Sequence, residues 1–280
     1  MCGRFASALI AGHADSVEWL RIERDAPPPD WVDSWQPAGG PGRDAKLDAG
    51  SDHRPGSGRS PGIASGVISG LDAAPVGDWP PPSWNVAPTQ RIAIVVAAGA
   101  SGEARRVLSA RWGLVPRWWR KPLADLKAST FNARAEEAAA KPMFRDAWKF
   151  GRCLVPAAGY YEWTGKAGAK TPWFIAKRTN RPGFCFAGLW AEAVVDGERL
   201  VSATILTTAA GPATRQLHPR SPVVLDEAAF ETWLTGPSPA DAALMLPIPD
   251  ALTAVHEVDR AVGQVRNDGP HLVMPAGLGL

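Results

Sequence analysis

From residue 36 to residue 82, 18 of 47 positions are Gly or Pro, and Trp79 is the only aromatic. Glycine adds chain entropy that folding must remove, and proline takes away a backbone donor. A segment so composed cannot bury enough apolar surface to offset its own ordering. Any fold must therefore be built from the residues on either side. The 280-residue length suits one large domain. The expectation is a single domain over 1–280, interrupted by a mobile insertion at about 36–82.

Before the insertion, Asp15 is placed to cap a short helix carrying Val17, Trp19, Leu20 and Ile22. After it the signals turn to strands. Residues 91–97 (R-I-A-I-V-V-A) and 105–112 are rich in β-branched or alternating side chains. Further strands are expected at 152–156, 159–163, 173–177, 184–189, 202–208 and 255–258. Residues 133–140 (A-R-A-E-E-A-A-A) read as a helix with Asn132 as its N-cap. Residues 212–217 and 226–234 also read as helical, with Asp226 capping the second. Short connections favour antiparallel pairing. The fold class is α+β, with a curved or barrel-like antiparallel sheet at its core and peripheral helices.

Net charge is only +2, but it is unevenly placed. Residues 105–121 hold Arg105, Arg106, Arg111, Arg117, Arg120 and Lys121 without one acidic residue. Such a stripe either is a solvated face or attracts phosphates. No run of 18 apolar residues is present, so no membrane span is expected. Cys2, Cys153 and Cys185 form neither a C-x-x-C pair nor a cluster with histidine. No zinc site, disulfide framework or other metal centre is expected, and a reducing cytoplasm fits.

Chemistry is concentrated in a few polar residues. The chain opens M-C-G-R-F. A methionine before a small residue is normally trimmed, which would leave Cys2 with a free α-amine and a thiol on one carbon. Their unperturbed pKa values, about 7.7–8.0 and about 8.5, make both partly nucleophilic near neutrality. Such a 1,2-aminothiol condenses with an aldehyde to an imine and closes a thiazolidine. Alternatively its thiol attacks an amide, or Cys2 simply packs as a small apolar residue.

Glu162 stands among aromatics in A-A-G-Y-Y-E-W (157–163). Partial desolvation there would raise its pKa and suit it to acid–base work; the alternative is an outward position on an edge strand. His218 lies at a helix–strand junction, where functional residues often sit. Asn132, in F-N-A-R-A-E (131–136), can cap a helix or orient a substrate. Arg4, Arg134 and Arg220 each fall within two residues of Cys2, Asn132 or His218, and arginine's planar fork suits phosphate oxygens. In R-W-G-L-V-P-R-W-W-R-K-P (111–122), Trp118 and Trp119 would point to opposite sides of an extended segment, so one is expected to be exposed. Exposed indoles among cations are what single-stranded nucleic acid requires of a surface.

These strings resemble one family closely. M-C-G-R-F (1–5), W-N-V-A-P-T (84–89), R-W-G-L-V-P-R-W (111–118), F-N-A-R-A-E (131–136), R-C-L-V-P-A-A-G-Y-Y-E-W (152–163), A-G-L-W (187–190), I-L-T-T-A-A (205–210), H-P-R-S-P-V-V-L (218–225) and V-D-R-A-V-G-Q-V-R-N (258–267) follow the order of the SOS response-associated peptidase family of abasic-site processing proteins. The resemblance implies that Cys2 is the nucleophile and that Asn132, Glu162 and His218 complete the catalytic set. It implies phosphate contacts from Arg4, Arg134 and Arg220, and apolar contacts with bases from Pro88, Trp118, Trp119 and Trp163. It further implies a monomer that needs no cofactor, crosslinks to abasic sites in single-stranded DNA, and can remove its own Met1. Two positions depart from the family pattern: Pro219 follows the histidine, and Ser221 precedes the next proline. Two other readings remain at this stage, an N-terminal-nucleophile amidohydrolase and a non-catalytic reader of modified bases.

Overall fold

The computed structural model describes residues 3–7, 80–98, 104–178, 183–236 and 242–277. Cys2, the expected helix after Asp15 and nearly all of the 36–82 segment lie outside these residues. No described helix is long and apolar enough to cross a membrane.

Twelve strands organise the described chain: β1 Phe5–Ala6, β2 Arg91–Ala98, β3 Ala104–Trp112, β4 Asn132–Arg134, β5 Arg152–Ala157, β6 Gly159–Thr164, β7 Thr171–Lys177, β8 Phe184–Val195, β9 Glu198–Ala209, β10 Arg220–Pro222, β11 Val224–Leu225 and β12 Thr253–Glu257. Three short helices accompany them: α1 Ala135–Ala138, α2 Arg145–Phe150 and α3 Phe230–Thr235. The α+β expectation holds, with one change. Five strands close on themselves in the order β9-β3-β2-β5-β8, and that barrel is mixed. β3 and β4 both run parallel to β9. Parallel neighbours need a crossover, here supplied by the long stretches between β3 and β9, which local turn signals do not reveal.

A second sheet, β1-β6-β7-β12, packs against the barrel. The barrel interior holds Phe5, Trp112, Phe186, Tyr160 and Ile205. Phe5 meets Trp112 and Phe186 edge-on, with ring centroids 5.1 and 5.9 Å apart, a preferred aromatic arrangement. The outer face of β5 and β8 is covered by Trp148 of α2 and Trp233 of α3. Gly151, between α2 and β5, lets this layer close: a Cβ there would lie 2.2 Å from the Trp190 carbonyl oxygen.

Residues 133–140 do not form one helix. Asn132–Arg134 are extended beside β9, and the helix begins only at Ala135, with Arg134 at its N-cap position. Asn132 is therefore a strand residue rather than a cap. Residues 212–217 form successive turns instead of a helix. Asp226 does precede a helical segment, but its side chain makes no cap bond and pairs with Lys177 instead.

Ser7 and Ser83 are joined directly. Ser7 N–H donates to the Ser83 carbonyl (2.7 Å), and Ser83 N–H donates to Ser7 Oγ (3.2 Å).

Candidate functional site

β6 is the spine of the site. Its residues alternate between two environments, as strand geometry requires. Tyr160 enters the barrel core, whereas Tyr161 and Trp163 pack on the other face beside Phe174. Glu162 shares the parity of Tyr160. It pairs with Trp173 of β7 and is 6% exposed. The edge-strand alternative fails, because β6 lies between β1 and β7. No described residue bonds Glu162 Oε1. Burial pushes this carboxyl up to about 7, since a low-dielectric setting disfavours the anion. At neutral pH it is divided between acid and carboxylate.

β1 runs antiparallel to β6, with Phe5 opposite Tyr160 and the Arg4 carbonyl accepting from Tyr161 N–H (3.0 Å). The N-terminal strand thus lies along the strand that carries Glu162.

β10 and the loop before it are tied to the same strand. Tyr160 OH bonds Ser221 Oγ (3.3 Å), and Ser221 Oγ meets Thr214 Oγ1 (3.1 Å). Thr214 also accepts from His218 N–H through its carbonyl (3.2 Å). Ser221, a departure from the family pattern, has a defined use as this polar bridge. His218 is half-buried. Its Nδ1 lies 3.0 Å from Arg220 N–H, which donates to it, and 3.1 Å from the Arg220 carbonyl. One backbone residue thus supplies a donor for one ring tautomer and an acceptor for the other. Each choice of Nδ1 partner fixes the opposite state of Nε2, so the ring can hold either a proton or a lone pair there. Burial lowers the His218 pKa, so the neutral ring dominates at pH 7.

The end of β9 carries β4 on one side and β10 on the other. Arg134 of β4 and Pro222 of β10 both pair with Thr207. Asn132 is buried on β4. Arg220 forms a two-pronged ion pair with Glu136, both contacts at 2.8 Å. Arg134 is exposed and bonds Glu137 (3.0 Å). Consecutive carboxylates of α1 therefore hold two of the arginines expected to meet phosphates.

Arg4 lies over the Trp163 ring, 5.8 Å from its centroid, and donates to Asn85 Oδ1 (2.7 Å) and the Val262 carbonyl (2.9 Å). Asn85 is buried and its amide donates to the carbonyls of Val262, Gln264 and Asn267. Asn85 was not among the expected site residues. A polar residue inside W-N-V-A is the signal that marks it. Pro88 is half-buried in a turn whose next residue, Thr89, has φ 77°, an uncommon conformation for a β-branched residue. Trp118 is 47% exposed beside Pro142, while Trp119 packs with Leu123 and Leu126 over Val115. Trp118 is thus the exposed member of the pair.

A family model described as SOS response associated peptidase (SRAP) matches residues 64–265. The chain belongs to this family. The N-terminal M-C-G-R-F precedes the matched range, and its Phe5 is joined to the SRAP core by pairing of β1 with β6. Abasic site processing protein YedK of Escherichia coli is 30% identical over 208 residues, covering 73% of this chain and 87% of that protein. YoqW of Bacillus subtilis, also named an abasic site processing protein, is 32% identical over 198 residues (69% and 85%). The chicken protein HMCES, which carries the same description, is 30% identical over 227 residues (71% and 68%). A crystal structure of a protein from Bacteroides thetaiotaomicron superposes with a TM-score of 0.58 at 25% identity, covering 69% of this chain and 85% of that one. One from Bordetella bronchiseptica gives 0.57 at 29%, covering 63% and 87%.

Proposed function

We propose that this SRAP protein processes abasic sites in single-stranded DNA by covalent capture through Cys2 once Met1 is removed. Its relatives' names supply the lesion. The observation that carries the chemistry is β1 lying along β6: Arg4, two residues after Cys2 in sequence, is hydrogen-bonded to Tyr161, the neighbour of Glu162.

The abasic sugar exchanges between a closed hemiacetal and an open aldehyde. Glu162 and His218 assist ring opening by moving the proton between the hydroxyl on C1′ and the ring oxygen. The Cys2 amine then adds to C1′. Protonated Glu162 gives its proton to the departing hydroxyl, and water leaves as the imine forms. The Cys2 thiol adds across the C=N bond, sulfur to carbon and proton to nitrogen, closing the thiazolidine. One water is released and no redox change occurs. A carboxyl near pKa 7 suits both giving and taking protons at physiological pH. Asn132 lines the pocket. Arg4, Arg134 and Arg220 meet phosphates, while Pro88, Trp118 and Trp163 meet bases; Trp119, packed over Val115, supports Trp118 from beneath. Affinity then depends on salt but not on sequence.

The test is a denaturing gel with an abasic oligonucleotide. Wild-type protein should give a covalent band. A variant with an irremovable N-terminal extension should give none. A blocked terminus that still crosslinks at the wild-type level would overturn the thiazolidine mechanism. Absence of any band with wild-type protein would leave binding or amide hydrolysis as the function.

A further inference from the structure

A chain of three buried hydroxyls runs from β6 to the turn that ends at His218. Tyr160 shares the face of β6 that carries Glu162, and its OH donates to Ser221 Oγ (3.3 Å). Ser221 Oγ in turn meets Thr214 Oγ1 (3.1 Å). All three residues are buried, with little room for water to replace a missing partner. A hydroxyl both accepts and donates, so Ser221 can serve both neighbours at once. Thr214 then passes the constraint to the backbone. Its carbonyl accepts from Leu217 N–H (2.9 Å) and His218 N–H (3.2 Å). The start of the same turn is tied down by Ala213 N–H, which donates to Asp250 Oδ1 (3.0 Å).

We propose that Tyr160, Ser221 and Thr214 are positioning residues that hold His218 in place relative to Glu162. The proposal rests on the reading of Glu162 and His218 as the pair that moves protons. The connection from β9 to β10 spans 210–219, and β10 itself is only Arg220–Pro222. Strand pairing alone therefore does little to fix a side chain within that connection. Pro219, directly after His218, has no N–H to contribute; only its carbonyl is used, accepting from Ala210 N–H (3.0 Å). Pro219 and Ser221 are the two departures from the family pattern, and they act together. One removes a donor beside the histidine, and the other adds a tie to the strand that carries Glu162.

Tyr160→Phe and Ser221→Ala each delete one oxygen of the chain. The ring at 160 keeps its packing beside Phe186. Single-turnover capture of an abasic oligonucleotide at saturating concentration should slow by about 10- to 100-fold in each variant, since a misplacement on the order of 1 Å costs up to about 10² in rate. The double variant should be no slower than the slower single one, because both break the same chain. Affinity for undamaged single-stranded DNA should stay at the wild-type level. In the free proteins the His218 Nδ1 resonance should shift in both variants, while that of His256, bonded through Nε2 to the Val273 carbonyl, should not. An unmoved His218 resonance would refute the proposal whatever the rates. Wild-type capture rates in both variants, or losses that multiply in the double variant, would refute it as well. Failure of wild-type protein to crosslink would overturn the covalent reading, and the His218 resonance alone would then decide whether the hydroxyl chain holds the ring.

Discussion

Glu162→Gln is the sharpest perturbation that the structure offers. Glutamine imitates the neutral carboxylic acid in shape but cannot ionise. In the folded chain the carboxyl titrates near 7, against an ordinary value of 4.5. At about 1.4 kcal/mol per tenfold change, holding the anion in this site costs about 3 kcal/mol. The sign follows from linkage: the folded state retains the proton longer than the unfolded state, so stability falls as pH rises. The loss begins above 4.5 and is complete once pH has passed about 7. Wild-type protein should therefore be less stable at pH 8 than at pH 5, and the glutamine variant should lack this component. Over a domain of this size, about 3 kcal/mol corresponds to roughly 6–12 °C in melting temperature. Paired thermal melts of both proteins from pH 5 to pH 8 measure it. The two should melt alike at pH 5, and the variant should melt higher at pH 8. Curves that run parallel across the range would show that Glu162 is not a destabilised acid. The same substitution should slow covalent capture by about 10²–10⁴-fold, the usual worth of a positioned acid or base.

Trp118→Ala should weaken single-strand binding by about 1–3 kcal/mol with little change in melting temperature, because the ring is exposed and stacking is its role. Trp119→Ala should chiefly lower the melting temperature, by about 3 kcal/mol of lost packing; the reverse assignment in paired melts and binding titrations would contradict this division. Glu136→Gln should free the Arg220 fork and raise single-strand affinity by about 1.5- to 5-fold, the worth of an exposed ion pair. A fall in affinity would mean that Glu136 positions Arg220 rather than competing with phosphate.

Most strands were legible because their burial pattern is local. Ile92, Ile94 and Val96 alternate with neighbours along one strand, and the Gly159–Thr164 segment is bounded by turns. What failed was decided at a distance. The string A-R-A-E-E-A-A-A favours helix, yet its first residues are drawn into β4 by Ile205, Leu206 and Thr207 of β9. Parallel pairing of β3 and β4 with β9 joins residues far apart in the chain, Arg111 with Ser202 and Asn132 with Ile205, and has no local signature. One miss was avoidable. β8 and β9 continue to Val195 and from Glu198, joined by Asp196-Gly197 with φ 53° and 84°; Asp-Gly is a strong hairpin signal. In the site, Glu162 was legible as a carboxylate among aromatics, but its burial depends on sheet order. The Arg134–Glu137 pair has i,i+3 spacing, but the engagement of Arg220 by Glu136 could not be read from the sequence, since those two meet only in three dimensions.

The bonds between Ser7 and Ser83 bring the entry and exit of everything between them within one hydrogen bond of each other. Chain that leaves at Ser7 and returns at Ser83 closes a ring at this point. Closure entropy grows only logarithmically, so doubling such a ring costs about 0.6 kcal/mol. Its length and content can drift with little effect on the register of β1 against β6. The doublet is in effect a port: a tether, a reporter or a whole folded module could be spliced there, changing the mass and reach of the protein while the strand that carries Glu162 keeps its partners.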